Sequence, residues 1–275
     1  MRLTCSSLSL LGVPIADAIA TIADLGFPAF DLVGIPTVPN PHLDVVSRDQ
    51  AELDALARIV GTAGLEVATV VTVPGDGLEH WDPDEANARV RWATHACDML
   101  GARMLVLDAG SPDDAEESGR LGAIARWRAM IDAAFESTAA VGVRLAVEAP
   151  HTGTLAERFD QVQELLRAID HHPEIGLDYD TSHVYRSGTS TEDSLRLIGD
   201  RVVKVALRDV DADNEFCRPG MGNVDFVRVL ALLAQRGYAG DVVIELETPG
   251  VTEAMEQRRE IEQTRSFIED ILAGL

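Results

Sequence analysis

The 275-residue chain carries 46 acidic against 23 basic residues, a formal charge of −23. That balance opposes unaided binding to nucleic acid or to an anionic membrane, since both need a positive surface. Cys5, Cys97 and Cys217 lie far apart with no CxxC spacing, which argues against a disulfide framework and a structural zinc site and fits a reducing cytoplasm.

Leu3 opens an apolar segment with neither a basic region nor a long apolar run, so no signal peptide or membrane span is expected. From there, short apolar runs alternate with longer amphipathic ones, the pattern of strand and helix in succession. A strand at Arg2–Ser6 is followed by a helix over Ile15–Leu25 that stops at Gly26. Ala29–Val33 is the second strand, and a proline-rich loop from Pro36 to Pro41 leads to a helix over Arg48–Ala63. The third strand is Glu66–Val71. The loop Pro74–Pro83 after it holds His80 and Trp81 and reads either as a lid over a pocket or as a packed loop.

A helix over Asp84–Leu100 then gives way to the strand Met104–Asp108, tipped by an acid. Ser111–Ser118 reads as an acidic loop and Leu121–Ala140 as an alanine-rich helix, followed by the strand Arg144–Glu148. Thr154-Leu-Ala-Glu157 matches a capping box, with Leu155, Phe159, Val162, Leu166 and Ile169 at helical spacing behind it. Beyond lie the strand Ile175–Asp180, a brief helix near Thr191–Ile198 and the strand Val202–Asp209. A loop with Pro219-Gly-Met-Gly222, a helix Asn223–Arg236, the strand Asp241–Glu245 and a charged helix Val251–Leu275 complete the chain.

Eight strand–helix pairs without a composition break predict one (β/α)8 TIM barrel of class α/β, a single domain over 1–275. A doubly wound open sheet would normally carry a GxGxxG turn after an early strand, and none of the first four turns has one. In a barrel the C-terminal strand ends share one mouth. That rule gathers Asp108, Glu148, Asp180, His183, Arg208 and Glu245. Several ionised carboxylates in one pocket repel one another and are costly to desolvate, which favours a divalent cation among them, Mn²⁺ or Mg²⁺ by ligand type. The bland alternative is that some of these acids pair with Arg208 or face solvent.

Several motifs then resemble the xylose-isomerase-like TIM-barrel superfamily, the sugar phosphate isomerase/epimerase group that also holds AP endonucleases, dehydratases and ketose 3-epimerases. They are Val147-Glu148, Asp180-Thr-Ser-His183, Leu207-Arg208-Asp209, Pro219-Gly-Met-Gly-Asn-Val-Asp-Phe226 and Gly237-Tyr-Ala-Gly-Asp-Val-Val-Ile-Glu245. The resemblance covers nearly the whole chain. It implies that Glu148, Asp180 and Glu245 are metal ligands, that Glu148 and Glu245 double as the acid/base pair on either side of a bound sugar, and that His183 holds a substrate hydroxyl. It also implies a homodimer. The strand-seven histidine expected as a further ligand is Ala206, and Met221 and Asn223 depart from the loop motif.

His151, Arg208, Lys204, Asp108 and Trp81 complete the candidates for substrate contact. Lys204 lies two residues before Ala206 as Asp178 lies two before Asp180, so on adjacent strands they are expected to face each other as a buried ion pair beneath the site. The expected activity is metal-dependent isomerisation or epimerisation of a sugar, ketose or polyol carbonyl compound through an enediolate. A dehydratase and a non-catalytic sugar-binding barrel stand as alternatives. A nuclease is disfavoured by the charge.

Overall fold

The computed structural model describes residues 1–36, 38, 40–75, 82–110 and 113–275, the side chains of 113–118 excepted. Its eight long strands are β1 (Arg2–Ser6), β2 (Ala29–Gly34), β3 (Glu66–Thr72), β4 (Met104–Leu107), β5 (Arg144–Glu148), β6 (Gly176–Asp180), β7 (Val202–Leu207) and β10 (Asp241–Ile244). They are parallel and close into a barrel in the order β1-β10-β7-β6-β5-β4-β3-β2, the (β/α)8 fold that the alternating pattern predicts. A two-residue ribbon of β8 (Asp209–Val210) and β9 (Phe216–Cys217) sits after β7.

The helices that pack around the barrel are α1 (Ile15–Asp24), α2 (Gln50–Ala63), α3 (Pro83–Leu100), α4 (Asp113–Ala140), α5 (Phe159–Ala168), α7 (Thr191–Ile198), α8 (Phe226–Gln235) and α9 (Ala254–Ala273), with a short α6 (Thr181–Arg186) at the mouth. No described helix is long and apolar enough to cross a membrane. Strand residues facing the helices build the main core, as Tyr179 does by donating or accepting a 2.8 Å hydrogen bond with Ser194 of α7. The other face of each strand points into the lumen. There Val33, Val71, Val106 and Ala146 form part of a second, smaller apolar cluster, above and beside which the charged residues stand.

Two local expectations change. The capping box at Thr154–Glu157 does not start a helix: Thr154 Oγ1 accepts from Ala156 N, Glu157 accepts from Gly153 N, and α5 begins at Phe159 with the Gln161 side chain accepting the Arg158 N–H. These polar side chains close a turn instead, which competes with helix for the same residues. The stretch expected to be an acidic loop is helical from Asp113, and α4 is broken at Gly119, whose φ of 72° and ψ of 159° no helix contains.

Candidate active site

The strand ends deliver their polar residues to one mouth because the register aligns them. Glu148 pairs with Asp178, Asp178 with Lys204, Asp180 with Ala206 and Ala206 with Val243. A pocket of about 370 Å³ opens there, and Asp108, Glu148, His151, His183, Arg208 and Glu245 all line it. Six of the candidates named from sequence are therefore together. Trp81, with His80, lies outside the described residues. Lys204 and Asp180 are not in the lining.

Lys204 sits one layer below. Its ammonium is 2.6 Å from Asp178 and 3.2 Å from Asp31 of β2, and all three are buried. The pairing with Asp178 follows the predicted strand register. Asp31 comes from across the barrel and is a partner that strand register does not predict, although a lone carboxylate inside the apolar strand Ala29–Gly34 is its signal. Burial pushes the Asp31 carboxyl up to about 6 in spite of Lys204, while the two acids hold the lysine firmly protonated against burial.

Arg208 is the centre of the upper layer. Its Nε is 3.1 Å from Asp180 Oδ2, and its Nη2 and Nη1 hydrogen-bond Glu245 Oε1 and Glu247 Oε2. Thr181 fixes the backbone beneath it, donating to the Arg208 carbonyl at 2.7 Å and accepting from the Arg208 N–H at 3.0 Å. The guanidinium carbon lies 4.7 Å from the centre of the Phe216 ring. Burial opposes its charge, but Asp180, Glu247 and Glu148 outweigh that and keep it protonated. Glu247 and Phe216 are additions to the sequence candidates, although Glu247 follows Glu245 at the two-residue period of an extended chain.

Asp180 keeps one oxygen without a hydrogen bond. Oδ1 caps α6, accepting from Ser182 N at 2.7 Å, Ser182 Oγ at 2.5 Å and His183 N at 3.2 Å, and Oδ2 faces Arg208. Burial alone would raise this carboxyl, yet Arg208 and His183 with these donors hold it at about 2. Asp209, next in sequence to Arg208, is structural. It accepts from the N–H groups of Gly220, Gly222 and Val224 and so anchors the Pro219–Phe226 motif. A Cβ on Gly222 would collide with Asp209 Oδ1 and the Val210 carbonyl, which explains the glycine.

Glu148 is the contrast. Only 13 % of its side chain is exposed, and Oε1 has no hydrogen-bond partner. Burial, with Asp178 and Asp180 adding repulsion, pushes its carboxyl up to about 8. Around Oε1 stand His183 Nε2 at 3.9 Å and His151 Nε2 at 4.0 Å. Thr152 assigns the two rings opposite roles. Its N–H points at His183 Nδ1 (3.3 Å), leaving the proton of the neutral ring on Nε2, whereas its carbonyl takes the His151 Nδ1 proton (2.7 Å), leaving Nε2 of that ring a bare acceptor. Burial lowers both imidazoles below the ordinary value of 6.5, so both are neutral near pH 7. Asp108 is buried beside this group with one unpartnered oxygen, and burial pushes it up to about 7.

The expected metal set of Glu148, Asp180 and Glu245 does not fit an ion in this arrangement. Ala206 offers no ligand, Asp180 Oδ1 is taken up as the cap of α6, and a permanent cation stands 3.1 Å from the remaining Oδ2 and bonds Glu245. A different trio, Glu148, His151 and His183, brings three ligand-capable atoms within 4.8 Å of one another and could hold a metal ion. It would have to tighten, because ligands at bond lengths of 2.0–2.2 Å around a tetrahedral ion sit roughly 3.4 Å apart. It would also have to exchange the His183 tautomer that Thr152 favours. Asp132, His171 and His172 form a second such cluster outside the pocket.

A family model described as "Xylose isomerase-like TIM barrel" matches residues 19–271. The chain belongs to this family. Inosose dehydratase of Geobacillus kaustophilus (strain HTA426) is 25% identical over 184 residues, 57% of this chain and 59% of that protein. The chain thus spans little more than half the length of that relative. Among solved structures, D-psicose 3-epimerase from Clostridium cellulolyticum H10, with D-tagatose, matches with a TM-score of 0.78 at 18% identity over 99% of both chains. The IOLI protein with a zinc atom matches with a TM-score of 0.75, also at 18% identity, over 98% of both chains. These likenesses show the barrel fold.

Proposed function

We propose that this barrel is an enzyme that removes a proton from a carbon next to the carbonyl of a small sugar-like or polyol compound, with Glu148 as the group that carries the proton. The observation that supports it is the isolation of Glu148: one oxygen free, a carboxyl poised near neutrality, and neutral His183 and His151 beside it as hydroxyl donor and hydroxyl acceptor. A polyol bearing adjacent hydroxyls matches such a donor–acceptor pair. Ionised Glu148 takes the carbon-bound proton, the carbonyl oxygen becomes an enediolate oxygen, and the protonated Glu148 then returns the proton.

Return of the proton to the former carbonyl carbon, with the hydroxyl proton passing from the neighbouring oxygen to the former carbonyl oxygen, completes an isomerisation. Epimerisation by two opposed glutamates asks more of the site, because Glu245 is committed to Arg208. That commitment gives weight to a second reading, dehydration, in which the enediolate instead expels a hydroxyl on the next carbon and Glu148 protonates it as it leaves. The relationship to an inosose dehydratase supports the same alternative. No membrane or nucleic-acid partner is part of the proposal, and a cytoplasmic homodimer remains its expected setting.

The test is a panel of ketoses and keto-cyclitols incubated with the protein in D₂O. Isomerisation or exchange places deuterium next to the carbonyl, seen by NMR; dehydration produces a conjugated carbonyl that absorbs in the ultraviolet. Absence of both across the panel, with folded protein, would count against catalysis and in favour of a binding barrel.

A further inference from the structure

We infer that the Arg208 guanidinium takes the place of a divalent cation among the mouth carboxylates, so that this barrel uses a cation built into its own chain and needs no metal there. The observations are independent of one another. Position 206, in register with Asp180 on one side and Val243 on the other, is an alanine whose side chain cannot ligate. Arg208, two residues further along the chain, is only 5% exposed and contacts Asp180, Glu245 and Glu247 at once. Thr181 grips both backbone polar groups of Arg208, and the Phe216 ring covers one face of the guanidinium, so the charge is held in place.

An ion seated against Asp180 and Glu245 would share them with this guanidinium at contact distance, in surroundings where like charges repel strongly. The arginine would have to leave. Its planar fork suits the position it holds, because a guanidinium pairs with carboxylates through fixed N–H directions. Arg208 lines the same pocket as Glu148, with its Nε turned to Asp180. Donors fixed there stabilise charge that develops on a carbonyl oxygen during proton removal from the neighbouring carbon.

The inference takes its chemistry from the proposed proton transfer, but its decisive test does not need a substrate. Mn²⁺ is the probe, since a hard ion prefers carboxylates to the histidine clusters. Wild-type protein is expected to show, by electron paramagnetic resonance, no Mn²⁺ binding that Asp180→Asn abolishes. The double variant Ala206→His with Arg208→Ala restores a ligand and removes the cation, and is expected to bind one Mn²⁺ per chain, at least about 100-fold more tightly than wild type. Wild-type protein that binds one Mn²⁺ per chain, and loses it in Asp180→Asn, would overturn the inference. If the double variant does not fold, Arg208→Lys serves: a retained cation should keep Mn²⁺ out, and uptake of the ion would again refute the idea. Where turnover is found, Arg208→Ala should lose activity that added guanidinium ion, and not Mn²⁺, partly restores. A metal-free wild type that exchanges no proton in any polyol would leave this assignment standing and remove the proposed function instead.

Discussion

Lys204 Nζ lies 2.6 Å from Asp178 Oδ2 on the adjacent strand, buried at the centre of the barrel with Asp31 3.2 Å away on the other side. One ammonium serves two carboxylates. Removing it strands both charges, so Lys204→Met should lower stability by about 3–5 kcal/mol, the range for breaking a buried ion pair. Adding Asp31→Asn and Asp178→Asn to the same chain should recover much of that loss. Urea unfolding of the two variants measures both values, and equal instability of the single and triple variants would mean that packing, not charge, sets the cost.

Glu148→Gln keeps the shape of the side chain and removes its ability to take a proton. Deuterium exchange or turnover with a responsive polyol should fall by about 10²–10⁴-fold, with folding intact by circular dichroism. Glu245→Gln should act differently, because Glu245 is bound to Arg208. Its effect should appear in substrate affinity and in the charge balance of Arg208 as well as in rate.

The tautomers of the two mouth histidines should differ. Nitrogen-resolved NMR at neutral pH is expected to find the proton of His183 on Nε2 and that of His151 on Nδ1, as the Thr152 N–H and carbonyl dictate. The same proton position on both rings would remove the donor–acceptor pairing from the proposed site.

Stability should depend on pH in a way set by the buried mouth. Glu148 and Asp108 have carboxyls raised to about 8 and about 7, so the folded protein holds protons that the unfolded chain has released. Stability from these groups is present at low pH and is lost as pH rises through 7 and 8. His151 and His183 are lowered from 6.5, so their contribution is present above 6.5 and is lost as pH falls below it. The two trends offset one another below 6.5 and leave a decline from about pH 6.5 to 8, at about 1.4 kcal/mol per proton and pH unit. Thermal unfolding across this range should show the decline, and Glu148→Gln with Asp108→Asn should flatten it.

Much of the barrel was legible because its signals are local. Short apolar runs such as Arg144–Glu148 and Gly176–Asp180 mark the strands, and left-handed glycines such as Gly64 and Gly101 stop the helices. The capping box at Thr154 failed because the same side chains also satisfy a turn, and only the surrounding packing chooses between them.

By itself, the sequence determined the alternation of strand and helix, the acids and imidazole at the strand ends, and the facing of Lys204 and Asp178, since the two-residue period follows from covalent geometry and the apolar pattern sets the register. Tertiary structure decided the partners. Asp31 reaches Lys204 only because the closed barrel brings β2 and β7 across the lumen from each other, with β1 and β10 between them along the sheet. Likewise, no local rule says whether a long arginine after β7 turns out to solvent or in to the mouth carboxylates. It turns in because Asp180 at the end of β6 and Glu245 and Glu247 just beyond β10 leave negative charge there, buried at Asp180 and Glu245, that a cation must neutralise.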